Sequence, residues 1–176
     1  MRLSINIQRL RKGMFMLLFT MMSALLAVGQ EDANTLGEPM PEFTLYQIGD
    51  SSEFKSTTIK KKGILLIKIF SPDCEHCQEE AKKYVALKDS LKNIRTVWVA
   101  TPWSKMETIE AFAEDYDLAQ LNPLAIGKEN GFLLQKHFKV KGFPFAALYI
   151  HDQLVIAQQG ALDFEELIAI ANGVYD

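Results

Sequence analysis

An apolar run that ends in two cysteines constrains this chain more than any other stretch. Gly63-Ile64-Leu65-Leu66-Ile67-Lys68-Ile69-Phe70 is rich in β-branched and aromatic residues and short enough to be a buried strand. Ser71-Pro72-Asp73-Cys74-Glu75-His76-Cys77-Gln78 follows directly and holds both cysteines of the chain, spaced Cys-x-x-Cys. Beyond it, Gln78 to Leu91 places apolar side chains at Ala81, Tyr84, Val85, Leu87 and Leu91, a helical spacing with charges between. The cysteines thus fall where a strand hands over to a helix. Unpaired backbone N–H groups at a helix amino end favour a thiolate there.

Composition bounds the rest. In 176 residues, 48% of them hydrophobic and 10% aromatic, one domain with a real core is expected. Residues 1–29 read as a secretory signal peptide: Arg2, Arg9, Arg11 and Lys12 precede the apolar stretch Met14 to Val28, and Ala27-Val28-Gly29 offers a small-x-small cleavage site. The alternative is an uncleaved membrane anchor, for which an apolar stretch of about 15 residues is short against the roughly 20 that a spanning helix needs. Residues 30–37 read as a polar linker and 38–176 as the folded domain.

The first 29 residues carry four of the 19 basic residues and none of the 22 acidic ones, so the remainder holds 15 against 22, a formal charge near −7. An acidic domain without a basic cluster is a poor match for nucleic acid, and Lys60-Lys61-Lys62 reads as a solvated turn before a strand. Export places the cysteines where disulfides persist. A staple across two intervening residues closes too small a loop to remove much unfolded-state entropy, so the pair points to chemistry.

Taken in order, Phe43 and Leu45 alternate with polar residues behind Pro39 and Pro41, Gly49 to Ser52 turns the chain, and Glu53 to Thr57 returns, which predicts an amino-terminal hairpin. Arg95 to Thr101 predicts a second core strand, parallel to the first because a helix intervenes. Ser104 with Glu107 predicts a capping box for a helix bearing Ile109, Phe112, Ala113 and Tyr116. Asn122 to Gly127 reads as a short extended segment, and Lys128 to Phe138 as a short helix burying Phe132, Leu133 and Phe138. Pro144 enters an apolar strand, Phe145 to Ile150, either as a trans residue at its first position or through a cis bond in a tight turn. Leu154 to Ala157 returns antiparallel, and Asp163 caps a last helix carrying Phe164, Leu167, Ile168 and Ile170. The expected class is α/β: a mixed central sheet flanked by helices on both faces, with the hairpin added ahead.

These residues resemble the thioredoxin superfamily, in particular its exported TlpA/ResA-like thiol–disulfide oxidoreductases. The resemblance rests on Pro39-Met40-Pro41-Glu42-Phe43-Thr44-Leu45, on the strand ending in Cys74-Glu75-His76-Cys77, and on Gly142-Phe143-Pro144 before a hairpin and final helix. It implies a thioredoxin-like fold over Glu38 to Asn172 and a cis Pro144 beside the cysteines, where the backbone around Phe143 meets substrate. Two positions depart from the family. Asp73 stands where Trp is usual, and Lys68 stands where a buried Asp or Asn is usual. A buried lysine is costly, so Lys68 is expected to reach solvent or an acid such as Glu79, or else to replace the proton relay with an amine.

The chemistry expected is exchange. Cys74 attacks a partner disulfide and Cys77, one turn on and more buried, resolves the mixed disulfide. His76 is expected to favour the Cys74 thiolate, with Glu75 and Asp73 opposing it. No cofactor beyond the Cys74–Cys77 disulfide is expected, and no metal: one Cys-x-x-Cys supplies two ligands where structural zinc takes four, and His137 and His151 have no paired spacing. Expected partners are exported thiol or disulfide proteins and, by resemblance, a membrane electron donor, with the protein a monomer. The rival reading is a non-enzymatic thioredoxin-like binding module whose cysteines are idle or structural.

Overall fold

The computed structural model describes residues 36–174. The expected signal peptide, 1–29, and most of the 30–37 linker lie outside the described residues. Seven strands form one sheet: β1 (Thr44–Gln47), β2 (Glu53–Lys55), β3 (Ile64–Phe70), β4 (Ile94–Ala100), β5 (Ala125–Lys128), β6 (Phe145–Ile150) and β7 (Gln153–Gln159). Their spatial order is β2-β1-β5-β4-β3-β6-β7. β3 lies inside the sheet, parallel to β4 and antiparallel to β6, and every residue after Ile64 is buried. That explains its near-continuous apolar sequence, since an interior strand covered on both faces has no solvent side for polar residues to occupy.

Helices cover both faces. Alternation along β3 sends Leu66 and Phe70 to one face, where α1 (Glu75–Ala86) contributes Cys77, Ala81 and Tyr84. On the same face α2 (Met106–Asp115) contributes Ile109 and Phe112, and α4 (Phe164–Ala171) contributes Leu167 and Ile170. Leu65, Ile67 and Ile69 point the other way and pack with Phe43, Leu45 and Phe138, together with Leu134 of the short α3 (Leu133–His137). Asp163 caps α4 as expected, its carboxylate accepting from Glu165 N at 2.8 Å.

The short extended segment expected over Asn122 to Gly127 is strand β5, reaching to Lys128: it pairs parallel with β4 and antiparallel with β1, and so joins the amino-terminal hairpin to the sheet. Three local expectations are corrected. Ser104 does not cap α2, whose N-cap is Lys105 with no side-chain hydrogen bond. The Ser104 hydroxyl lies instead 2.6 Å from that of Thr101, closing a tight turn. α1 begins at Glu75, earlier than its apolar periodicity, because Cys74 itself caps it. α3 is shorter than expected, and Phe132 and Leu133 are 41% and 42% exposed, so only Leu134 and Phe138 of that segment are core.

The β1–β5 seam depends on Gly127, which stands in register with Gln47; a Cβ there would overlap the backbone carbonyl of Tyr46. Gly127→Ala must push the strands apart, so it is expected to cost about 1–3 kcal/mol in chemical unfolding. A loss under about 0.5 kcal/mol, the range of neutral surface changes, would contradict this close approach.

Candidate active site

The turn between β3 and α1 is tied down by its own backbone. Cys74 N donates to Ser71 O at 3.1 Å, Gln78 N donates to Cys74 O at 3.0 Å, and the Gln78 side-chain amide donates to Pro72 O at 2.9 Å. Cys74 is the N-cap of α1, in an extended conformation (φ −88°, ψ 112°), and its sulfur accepts from Cys77 N at 3.3 Å. A cap side chain takes up a backbone N–H that the helix leaves unpaired. Here that side chain is a thiol. Both cysteines are free thiols, Cys74 half-buried and Cys77 buried at 1% exposure.

Across the turn, Cys74 Sγ donates to Phe143 O at 3.6 Å, and the Phe143–Pro144 peptide bond is cis. Pro144 is buried at the mouth of β6, and the hairpin beyond holds the approach in place: Gly160 N donates to Pro144 O at 2.8 Å. The structure therefore brings Cys74, Cys77, Phe143 and Pro144 together. Asp73, Glu75 and His76 are exposed. Among the described residues no hydrogen bond joins His76 to either sulfur; with Lys83, Glu80, Phe143 and Pro144 it lines a groove of about 330 Å³.

Behind Cys77 lies a charged pair inside the core. Lys68 is wholly buried, in register with Trp98 on one side and Ala146 on the other, and its Nζ lies 2.7 Å from Glu80 Oε2. The other oxygen of Glu80 accepts from Leu162 N at 3.2 Å. The Lys68–Glu80 contact is close but poorly aligned for a hydrogen bond, so it is an ion pair. The ammonium also stands 5.7 Å from the centre of the Tyr84 ring, within cation–π range. Lys68 thus reaches neither solvent nor Glu79, which pairs with Lys82 on the outer side of α1. Sequence reasoning missed Glu80, although it stands one helical turn after Cys77 and shares its inward face.

Burial sets the ionisation of this inner layer. It holds Lys68 below its ordinary value, and the Glu80 carboxylate partly pulls it back up. It also pushes the Cys77 thiol well above its ordinary value, aided by the contact with Cys74 and opposed by the Ser71 backbone and, more weakly, by the Lys68 charge. A larger cavity of about 560 Å³ lies between Tyr84, Leu91, Thr96 and Leu124, and neither cysteine lines it. Among the described residues no group of three or more His, Cys, Asp and Glu side chains is placed to hold a metal ion.

Breaking a buried pair strands a charge, whereas removing both charges does not. Glu80→Leu is therefore expected to lower stability by about 3–5 kcal/mol, and adding Lys68→Met to recover most of that loss. Guanidinium unfolding curves compare the variants; a double variant no more stable than Glu80→Leu would show that the two side chains do not depend on each other.

No family model matches the chain. It is 25% identical over 125 residues to protein disulfide-isomerase 2-3 of Arabidopsis thaliana, covering 71% of this chain and 22% of that protein. Protein disulfide-isomerase like 2-2 of the same plant is 24% identical over 120 residues, covering 68% of this chain and 21% of that one. The chain thus spans about a fifth of the length of these curated relatives. Among solved structures, a secreted Mycobacterium tuberculosis disulfide oxidoreductase superposes with a TM-score of 0.59 at 17% identity, over 74% of this chain and 95% of that one. The thioredoxin domain of a Bacteroides vulgatus thiol–disulfide oxidoreductase gives 0.58 at 16% identity, over 81% and 99%. With its mixed sheet, its Cys-x-x-Cys at the head of α1 and a cis-proline against the first sulfur, the chain has the thioredoxin fold, and the resemblance to that superfamily holds.

Proposed function

We propose that the protein is an exported thiol–disulfide oxidoreductase that reduces disulfides of other exported proteins. The observation that carries this reading is the inequality of the two sulfurs: Cys74 caps the helix at the surface beside Phe143 O, while Cys77 is buried one turn behind it. In the forward direction Cys74, as thiolate, attacks one sulfur of the client disulfide. A Cys74–client bond forms, the client S–S bond breaks, and the second client sulfur leaves as a thiolate that takes up a proton. Cys77 then loses its proton and attacks Cys74 Sγ, closing Cys74–Cys77 and releasing the first client thiol. Two electrons pass to the client, and a dithiol donor, the membrane electron donor of the resemblance, must return them.

The reducing direction rests on the membrane electron donor that the resemblance implies. Burial favours the Cys77 thiol over its thiolate. His76, Glu75, Phe143 and Pro144 are proposed to meet the client around Cys74. Lys68 is proposed to ease the loss of the Cys77 proton through its positive charge. Export is supported by the signal-like residues 1–29. Among the described residues no helix is long and apolar enough to cross a membrane.

With dithiothreitol as electron source, the wild-type protein is expected to accelerate reduction of a model protein disulfide and Cys74→Ser to lose that acceleration. Equal turnover by the two favours the idle-cysteine binding module. The resolving step carries its own signature. Because burial, the chief cause of the raised Cys77 value, persists in the mixed disulfide, resolution is expected to speed up about tenfold per pH unit. Rapid-quench kinetics should show no levelling at the ordinary thiol value of about 8.5. A plateau there would contradict a buried, protonated Cys77.

A further inference from the structure

Outside the cysteine pair, the strongest unexplained feature is a row of aromatic rings that begins at half-buried Phe143 beside the reacting sulfur and continues through two exposed rings. Phe143, whose carbonyl accepts from Cys74, has its ring 6.0 Å from that of Trp103, and Trp103 in turn lies 5.9 Å from Phe132. Trp103 and Phe132 are 61% and 41% exposed, and Leu133 beside them is 42% exposed. The other exposed large apolar residues among those described are Leu36, Leu124 and Val174, none of them aromatic.

The backbone that carries Trp103 and Phe132 is held in place, at Phe132 in an unfavourable conformation. Trp103 stands in the turn that Thr101 and Ser104 close by backbone and hydroxyl contacts, and Lys128 Nζ donates to Ser104 O at 2.7 Å. Phe132 takes a left-handed conformation (φ 56°), unfavourable for a residue with a Cβ, and the turn of α3 behind it is fixed by Leu134 N donating to the buried Glu129 at 2.8 Å. Rigid aromatic side chains that face solvent lose little freedom when something covers them.

We propose that Phe143, Trp103 and Phe132 form a docking strip for the client segment next to its reacting cysteine, and that they select clients with an aromatic or large aliphatic side chain there. The proposal rests on the redox reading above. That reading fixes the occupant, because a client bonded to Cys74 Sγ lies against Phe143, whose carbonyl accepts from that sulfur and whose ring begins the strip. The strip spans no more than about 12 Å from the Phe143 ring to the Phe132 ring. An extended chain rises about 3.3 Å per residue with alternate side chains on one face, so the selected side chain sits about two to four residues from the cysteine.

Two disulfide-linked peptides test this, identical except that one has Phe and the other Gly two residues from the cysteine. Single-turnover rate constants are measured with the pre-reduced protein. The wild type is expected to prefer the Phe peptide about tenfold, and Trp103→Ala combined with Phe132→Gly to bring the ratio near one. Glycine is chosen at residue 132 because it tolerates the left-handed backbone. The emission of the exposed Trp103 is expected to shift to the blue on binding the Phe peptide. A wild type that reduces both peptides at equal rates, or a double variant that keeps the preference, overturns the docking strip and leaves the redox reading standing. Failure to reduce either peptide overturns both. A Trp103 shift with anionic phospholipid vesicles and none with the Phe peptide overturns the proposal in favour of a membrane-facing patch.

Discussion

A lysine with no exposed surface, set in an interior strand, constrains this structure more than any other residue. Neighbouring strands flank Lys68 on both sides, so its partner must come from the helical layer above, and Glu80 is the acid that reaches it. A buried charge left alone costs several kcal/mol, so the pair reinforces the rotation of α1 that its apolar face, Cys77, Ala81 and Tyr84, also sets. That rotation is what turns Cys77 inward with Glu80, Ala81 and Tyr84 and leaves Glu75, His76 and Glu79 outside. It also leaves Cys74 at the helix end, where its sulfur takes the N–H of Cys77.

From this arrangement follows a division between two layers. The outer layer is shape: a sulfur at a helix start, a cis-proline whose preceding carbonyl meets it, and Phe143, which both lines the groove beside His76 and begins the row of aromatic rings. The inner layer is electrostatic. Burial opposes charge on Cys77 and on Lys68 alike, and the Lys68–Glu80 attraction and the influence of Lys68 on Cys77 act against it. A half-buried outer thiol and a buried inner thiol are the two unequal sulfurs that the proposed exchange requires.

Much of this was legible in the sequence, for identifiable reasons. The β3 run, the parallel β4 and the cap at Asp163 are local signals that tertiary packing reinforced. The cis state of Pro144 was not in the residues themselves and came through resemblance. Three features were hidden because their cause is long-range. β5 is only four residues long and is a strand because β4 and β1 flank it. Ser104 has the sequence of a cap, but Thr101 captured its hydroxyl. Phe132 and Leu133 fit a buried helix face by spacing, yet α3 starts later and Leu134 takes the core position. Glu80 was within reach: the helical period that made Cys77 an inward residue also turns Glu80 inward, and Lys68 called for an acid there.

The unequal roles of the two sulfurs are tested most directly by trapping. Incubated with a disulfide-bonded exported protein, Cys77→Ser should accumulate a covalent adduct at Cys74 that a small thiol releases, and Cys74→Ser should accumulate none. An adduct formed as readily by Cys74→Ser, or none in either variant, would contradict the account.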